Sequence, residues 1–140
     1  MVTVKRFLSS DPELAQLAFA LRKTVFVVEQ GVDATLEYEH EEEAHHYLLF
    51  IGHKPIATAR WRETENGIKL ERFAVLPGFR NRGLGEIILK EVLKDVSSLG
   101  NMVYLHSQLK AVPFYERNGF IREGPLFIEA GIEHFRMKFA

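Results

Sequence analysis

A glycine-rich corner with two arginines is the part of this sequence best suited to binding chemistry. Arg80, Arg82, Gly83 and Gly85 follow a short apolar segment that ends at Pro77-Gly78, and apolar residues at helical spacing come after them. The first N–H groups of a helix have no partner within that helix, and glycines allow a ligand to approach them. With two guanidinium groups nearby, the corner predicts a site for a phosphorylated ligand. The alternative is an ordinary helix entry whose glycines serve only the turn.

The strand before this corner changes the face on which its apolar residues lie. Ile68 and Leu70 are apolar at even positions, whereas Phe73 and Val75 are apolar at odd positions. A regular strand cannot switch faces, so the pattern predicts a β-bulge between Glu71 and Ala74. A strand that is buried on both faces is the alternative. A bulge would leave a backbone N–H unpaired and splay the next strand away, which would make room for a ligand.

The composition excludes several classes of function. The 140 residues predict a single domain, 1–140, and a net charge of −1 gives no basic surplus for nucleic acid. The absence of cysteine excludes disulfides, thiolate metal sites and a cysteine nucleophile, and it fits a reducing compartment. We recognise no signal peptide and no apolar run of the roughly 18–20 residues that a membrane span needs. We therefore expect a cytoplasmic protein with neither nucleic acid nor membrane as a partner.

The elements that must position the corner alternate between strands and helices. The sequence from Val2 to Phe7 predicts a strand, and Ser10 or Asp11 caps a helix with Pro12 in its first turn. The β-branched run that follows predicts a break and a short second helix near Phe26. The remaining predicted elements are an acidic loop from Asp33 to Glu43, strands at Tyr47–Ile51, Ile56–Trp61, Ile68–Val75 and Met102–His106, helices after Leu84 and at Lys110–Asn118, and a last pair of strands, Phe120–Glu123 and Ile132–Phe139, joined across Gly124-Pro125 and Gly131.

Two motifs in this order resemble those of the GNAT superfamily of N-acetyltransferases. Arg80-Asn81-Arg82-Gly83-Leu84-Gly85 matches its (Arg/Gln)-x-x-Gly-x-(Gly/Ala) acyl-coenzyme A motif, and the sequence from Ala111 to Phe120 resembles its second signature, A-x-x-F-Y-x-x-x-G-F. Phe73-Ala74-Val75-Leu76-Pro77 resembles the strand before the first motif. The resemblance spans the chain. It implies an α/β (α+β) fold with a mixed, mostly antiparallel sheet of about seven strands, helices on both faces and a splay between strands 4 and 5.

A closer resemblance is to the ElaA/YjcF-like subgroup of that superfamily. The sequence from Leu21 to Gln30 resembles its LR-x-x-VFV-x-EQ segment, and those from His45 to Leu48 and from Gly131 to Met137 resemble other positions in it. The subgroup has no generally assigned substrate, so this match does not identify the acceptor.

The resemblance implies that acetyl-coenzyme A is the co-substrate. Pantetheine would pair like an added strand with the backbone of Phe73, Ala74 and Val75. The Val75 N–H would polarise the thioester carbonyl, a contribution on the order of 3 kcal/mol to the transition state. Phe114 is a further predicted coenzyme contact. The pyrophosphate would be held by the backbone and charges of the corner: Arg80, Asn81, Arg82, Gly83, Leu84 and Gly85.

Acyl transfer to an amine needs an acid for the leaving thiolate and a base for the amine. Tyr115, in the second motif, is the predicted acid because a phenol and a thiol have similar basicity; simple packing is the alternative. Glu71, beside the bulge, is the first candidate for the base, since burial would raise its pKa. A salt bridge to Arg72 or Arg60, or solvent exposure, is the alternative. His106 is a comparable candidate, which would relay a proton through water, although a lone histidine is more often structural.

The acceptor pocket is predicted from the resemblance alone. Arg22 and Glu29-Gln30 lie where the family places acceptor-contacting helices, with capping or ion pairing as the alternative, and His134 is expected to line the pocket. His45 and His46, beside the acidic loop, offer metal ligands, but neighbours in a strand point to opposite faces. We therefore expect no metal site, and a loop that is either solvated or steers a cationic acceptor.

These patterns predict an acyl-coenzyme A-dependent N-acyltransferase. The expected acyl group is acetyl. In a ternary complex, an amine of a small molecule or peptide would attack the thioester directly and take up the acyl group. A catalytically silent acyl-coenzyme A-binding sensor is the alternative, and an enzyme of the acyl-homoserine-lactone synthase type is disfavoured because this chain is short for that group. The sequence leaves the acceptor, the acyl length and the oligomeric state open, a homodimer included.

Overall fold

A seven-stranded sheet organises the computed structural model, which describes residues 1–32 and 39–140. In spatial order its strands are β1 (Val2–Phe7), β2 (His45–Ile51), β3 (Lys54–Thr64), β4 (Gly67–Val75), β5 (Val103–Gln108), β7 (Ile132–Phe139) and β6 (Phe120–Glu129). Neighbouring strands are antiparallel, except that β4 and β5 run parallel. The predicted mixed, mostly antiparallel sheet of about seven strands is confirmed.

Helices cover both faces of the sheet, as predicted. Helix α1 (Pro12–Arg22) begins at Asp11, whose Oδ1 accepts a hydrogen bond of 3.2 Å from the Leu14 N–H. Helices α2 (Leu84–Val96) and α3 (Val112–Arg117) lie on the opposite face. Among the described residues, no helix is both long enough and apolar enough to cross a membrane.

The sheet has one apolar core on each of its two faces. On one face α1 packs on Leu48, Phe50 and Ala74, and on the other face α2 packs on Leu49 and Ile56. Each of the larger of these side chains (leucine, isoleucine and phenylalanine), when fully buried, contributes about 1.5–3 kcal/mol of transfer free energy. The alternation of Leu48, Leu49 and Phe50 between the two cores follows from the two-residue period of a strand.

The chain does not break after α1, so the predicted break is wrong, but the predicted short second helix near Phe26 is present. Helix α1 continues directly into a π-helix, Lys23–Glu29, and the helical segment ends at Gly31, whose φ is 73°. Val25 and Phe26 are buried in the same core as α1. Burial of these side chains outweighs the weak helix propensity of a β-branched run.

The sheet opens between β4 and β5. These strands pair only from Ile68 to Leu70, and beyond Leu70 they separate. At the same point Glu71 pairs with Arg60 and Ala74 pairs with Thr58, so two residues of β4 lie opposite one residue of β3. The predicted bulge between Glu71 and Ala74 and the splay between strands 4 and 5 are both confirmed. The C-terminal half of β4 therefore has an open edge.

The last hairpin is longer than predicted. Strand β6 continues through Gly124-Pro125 to Glu129, with an irregular register between Glu123 and Phe127, and the turn lies at Ala130-Gly131. The prediction of a loop from Gly124 to Gly131 was wrong because β6 is an edge strand, where the missing N–H of proline breaks no ladder bond. The extension brings Phe127 opposite His134 and places Glu129 near the opening of the sheet.

Candidate functional site

A cleft of about 930 Å³ occupies the opening between β4 and β5. The π-helix, the loop before α2, the end of β5, α3 and the β6–β7 hairpin close its sides. Most of the residues predicted from the sequence line it: Glu71, Phe73, Ala74, Val75, Arg80, Asn81, Gly83, Leu84, Gly85, His106, Phe114, Tyr115 and His134. Arg82, Arg22 and Glu29 are not among the described residues that line it.

The start of α2 is open toward the cleft. Gly83 is its N-cap residue with a φ of 77°, a value that favours glycine, and no side chain caps the helix. The first N–H groups of this 13-residue helix are therefore left for a ligand. A Cβ at Gly85 would lie 3.5 Å from the Phe114 ring and 3.8 Å from Val75 Cγ2, so α2 packs closely against both α3 and β4 here.

Arg80, in the loop before α2, forms hydrogen bonds with both β4 and the π-helix. Its Nε donates to the Val75 carbonyl at 2.9 Å, and its two terminal nitrogens donate to the Glu29 carboxylate at 2.7 Å each. This hydrogen-bonded pair holds the pKa of Glu29 below its ordinary value. Arg82 instead lies over the Phe79 ring, 5.3 Å from its centroid. Of the two arginines, Arg80 is thus the one that lines the cleft, and it is already held by a carboxylate.

The backbone of Val75 faces the open edge of the sheet. The next residue, Leu76, donates its N–H to the Ile56 carbonyl of β3 at 3.0 Å. Because successive residues of an antiparallel strand direct their backbone groups to opposite sides, the N–H and C=O of Val75 point away from β3. The bond from Arg80 to the Val75 carbonyl agrees with this direction. The Val75 N–H is therefore directed toward the cleft.

Tyr115 lies across the cleft from this edge, enclosed by aromatic rings. Its ring meets those of Phe73, Phe114 and Phe120 edge to face, with centroids 6.2, 5.1 and 5.8 Å apart. Burial raises the pKa of the phenol well above its ordinary value. The hydroxyl is protonated at neutral pH with or without this shift, and the shift makes it a weaker acid than a free phenol.

Glu71 forms part of a buried ion-pair network. Its Oε1 accepts hydrogen bonds from Nε of Arg60 at 2.9 Å and from Nε of Arg62 at 2.8 Å. Burial by itself raises the pKa of Glu71, but the charges of Arg60, Lys69, Arg62 and Arg72 together outweigh it, so the pKa lies below its ordinary value. The expected net rise in the pKa of Glu71 is therefore not found, although burial acts in the expected direction. The salt-bridge alternative describes Glu71 better, because a carboxylate with a lowered pKa is a weaker base.

The same network explains why Arg22 does not reach the cleft. The Arg22 side chain is buried, and its guanidinium donates to Glu41 Oε1 at 2.6 Å; Arg60 donates to the same oxygen at 2.8 Å. Arg22 thus joins the end of α1 to Glu41 rather than to a bound acceptor. Residues 33–38 of the predicted acidic loop lie outside the described residues.

His45 and His46 point to opposite sides of β2, as predicted. His45 is exposed and stacks on the Trp61 ring, with centroids 4.0 Å apart. His46 is buried, stacks on Phe7, and its Nε2 lies 3.0 Å from the Glu41 carbonyl oxygen. Burial is the main reason that the pKa of His46 lies below its ordinary value.

A histidine pair and one carboxylate lie on the side of the cleft formed by the hairpin. Glu129 Oε1 is 3.1 Å from His106 Nδ1, and Glu129 Oε2 is 3.8 Å from His134 Nε2. The Phe127 ring contacts both imidazoles, with centroid distances of 5.0 Å to His106 and 5.8 Å to His134. The hydrogen bond from His106 is the main cause that lowers the pKa of Glu129 to about 2.

Sequence reasoning missed Glu129 and Phe127. Both lie in the part of β6 that was predicted as a loop, so nothing placed them opposite His134. The available signal is the short apolar, β-prone run of Leu126, Phe127 and Ile128 just before the Ala130-Gly131 turn. Gln108 was also missed; its side chain donates a 2.8 Å hydrogen bond to Gln30, and so joins the end of β5 to the segment after the π-helix.

Comparisons with known proteins point to one family. Residues 11–140 match a family model described as an acetyltransferase (GNAT) domain. The uncharacterized N-acetyltransferase YjcF of Bacillus subtilis (strain 168) is 36% identical over 137 residues, which cover 96% of this chain and 98% of that protein. An acyl-CoA N-acyltransferase from Pseudomonas aeruginosa superposes with a TM-score of 0.89 at 23% identity over all of both chains. Escherichia coli ElaA does so with a TM-score of 0.88 at 21% identity over 98% of this chain and 99% of ElaA.

Proposed function

The chain belongs to the GNAT family of N-acetyltransferases, and we propose that its acceptor amine attacks an acyl-coenzyme A thioester directly, in a ternary complex. The acyl group is acetyl, and the amine belongs to a small molecule or a peptide. One observation carries this proposal: the open edge of β4, the uncapped start of α2 and the Tyr115 side chain all border the same cleft.

The cleft fits acyl-coenzyme A in its chemistry. The free N–H groups at the start of α2 and the nearby Arg80 suit a pyrophosphate, since both attract anions. The pantetheine arm contains amide groups, and an unpaired strand edge from Phe73 to Val75 offers them backbone partners. The cleft volume of about 930 Å³ lies at the upper end of the range for small-molecule sites.

Two groups on opposite sides of the cleft stabilise the transfer. As the amine nitrogen bonds to the carbonyl carbon, negative charge develops on the carbonyl oxygen, and the Val75 N–H donates to it. A donor of this kind contributes roughly 3–4 kcal/mol to the transition state. When the C–S bond breaks, the Tyr115 hydroxyl gives its proton to the thiolate and later regains one from solvent. A phenol is protonated at neutral pH, so Tyr115 holds the proton that this step requires.

His106 is the base that we favour over Glu71. Glu71 accepts hydrogen bonds from Arg60 and Arg62 and has a lowered pKa, so it is a weak base. His106 lines the same cleft from β5, and its side chain is 23% exposed. A neutral imidazole in that place can accept a proton from the amine, directly or through one water molecule.

Coenzyme binding and turnover are tested separately. Calorimetry should give much tighter binding of acetyl-coenzyme A than of acetyl-pantetheine, which lacks the pyrophosphate. Equal affinities would contradict the assignment of the corner before α2. Thiol release from acetyl-coenzyme A in the presence of a panel of amines should then require an amine. Tight binding without amine-dependent thiol release across the panel would favour the sensor.

A further inference from the structure

The contact with Glu129 determines which ring nitrogen of His106 carries a proton. An ionised carboxylate only accepts hydrogen bonds, and Glu129 stays ionised at working pH because its pKa is about 2. The 3.1 Å contact therefore requires a proton on Nδ1 of His106. In the neutral ring, Nε2 then holds the lone pair. This selects one of the two tautomers of a side chain that lines the cleft.

His134 is not available for the same role. Its Nδ1 lies 2.7 Å from the Ile132 carbonyl, which can only accept, so this nitrogen also carries a proton. Its Nε2 faces the second oxygen of Glu129 at 3.8 Å, and its side chain is only 8% exposed. Both nitrogens of His134 are thus directed at protein groups, whereas Nε2 of His106 has no hydrogen-bond partner within the described residues.

We propose that Glu129 is a positioning residue that holds His106 as the Nδ1–H tautomer, with Nε2 as the acceptor for the proton of the attacking amine. This rests on the proposed function. The proton leaves the amine nitrogen as the C–N bond forms, and His106 becomes an imidazolium whose charge Glu129 stabilises at Nδ1. After the C–S bond breaks, the proton passes to solvent and the neutral tautomer returns.

Other charged groups surround this pair and do not replace Glu129. Lys69 on β4 lies close enough to act on the charge of Glu129, and Tyr104, two residues before His106, has its ring 6.0 Å away. Arg136 on β7 pairs in register with His106, but its guanidinium lies over the Tyr104 ring at 4.6 Å. Among these neighbours, only Glu129 contacts a nitrogen of His106.

The test compares Glu129→Ala and Glu129→Gln with the matched control Glu133→Gln, an exposed carboxylate on β7. Nitrogen-15 NMR of labelled histidine should place the wild-type proton on Nδ1 of neutral His106 and shift it toward Nε2 in Glu129→Ala. The kcat should fall about 10- to 100-fold, less than the 10²–10⁴-fold expected for loss of a base, with the KM for acetyl-coenzyme A unchanged.

Glu129→Gln should keep much of the tautomer, since its amide oxygen can still accept from Nδ1, and should lose rate mainly through the missing charge. An Nδ1 proton that persists in Glu129→Ala, or an unchanged kcat in that variant, would overturn the proposal. If the wild type released no thiol with any amine, the proposed function would fail together with the catalytic part of this proposal. The NMR measurement would still decide whether Glu129 sets the tautomer.

Discussion

The rings of Phe73 and Tyr115 meet edge to face, with centroids 6.2 Å apart and planes at 85°. Phe73 belongs to the bulge of β4, and Tyr115 belongs to α3 on the far side of the opening in the sheet. Both residues line the cleft, as does Val75. A thioester placed there would have an N–H donor on one side and a proton donor on the other.

A proline at position 75 would remove the proposed N–H donor without removing a ladder bond. In Val75→Pro we expect kcat to fall about 10²–10³-fold, the usual cost of one oxyanion donor, while the melting temperature stays close to that of the wild type. Leu76→Pro is the matched control, because its N–H donates to Ile56 and its loss should destabilise the fold. A kcat for Val75→Pro within threefold of the wild type would rule out the donor.

Substitution of Glu71 separates structural from catalytic roles. Glu71→Gln leaves the fully buried Arg60 with less compensating charge, so we expect the free energy of unfolding to fall by about 3 kcal/mol, as for a broken buried ion pair. Because the folded pKa of Glu71 is lowered, its contribution is present above the unfolded pKa and is lost as the pH falls through the folded one. Denaturant titration at neutral and acidic pH checks both points.

The control for that titration is Glu86→Gln, which breaks only the exposed pair with Lys90 and should cost less than about 0.5 kcal/mol. At a temperature where Glu71→Gln remains folded, its kcat should stay within a few-fold of the wild type. A loss of 10²-fold or more under those conditions would make Glu71 the base in place of His106.

The pair between Arg80 and Glu29 should weaken coenzyme binding. In Glu29→Gln the charge of Arg80 is no longer neutralised, so we expect acetyl-coenzyme A to bind up to about fivefold more tightly, a change of the size that exposed ion pairs produce. Calorimetry at low and at high salt measures it, and the gain should shrink at high salt. Weaker binding by this variant would mean that Glu29 holds Arg80 in its binding position.

Buried His46 should make stability depend on pH. Its folded pKa is lowered mainly by burial, so below about pH 6.5 the unfolded chain binds a proton that the folded chain does not. Stability should therefore fall as the pH drops from 7.5 to 5.5, by at most about 1.4 kcal/mol per pH unit from this group. His46→Gln should show a smaller fall over this range, and the exposed neighbour variant His45→Gln should keep the wild-type slope. Equal slopes for wild type and His46→Gln would refute this assignment.

The opening of the sheet could be predicted from the sequence because its cause is local. The switch of apolar parity between Leu70 and Phe73 locates the bulge, and the glycines of the corner locate the start of α2. The bulge and the start of α2 each depend on residues that are close together in the chain, so the sequence pattern is enough to locate them.

The charges around the site could not be predicted in the same way. The network of Glu71 joins residues of β3 and β4 with Glu41 from the segment before β2, and the contact of Glu129 with His106 crosses 23 positions. Burial of a glutamate can be foreseen from its apolar neighbours, but the sign of its pKa shift depends on which cations fold against it. Glu129 could not be placed for a related reason. A strand continues past Pro125 only if it lies at the edge of the sheet, and the sheet topology that makes β6 an edge strand is not visible in the local sequence.

The most direct measurement is the rate of amine-dependent thiol release from acetyl-coenzyme A by the wild type and by Tyr115→Phe. The variant keeps the ring that packs against Phe73, Phe114 and Phe120 and removes only the hydroxyl. Tyr47→Phe is the control, since that tyrosine bonds to Asp95 outside the cleft. We predict a 10²–10⁴-fold lower kcat for Tyr115→Phe with unchanged coenzyme affinity. Equal rates for Tyr115→Phe and the wild type would contradict the account of the cleft.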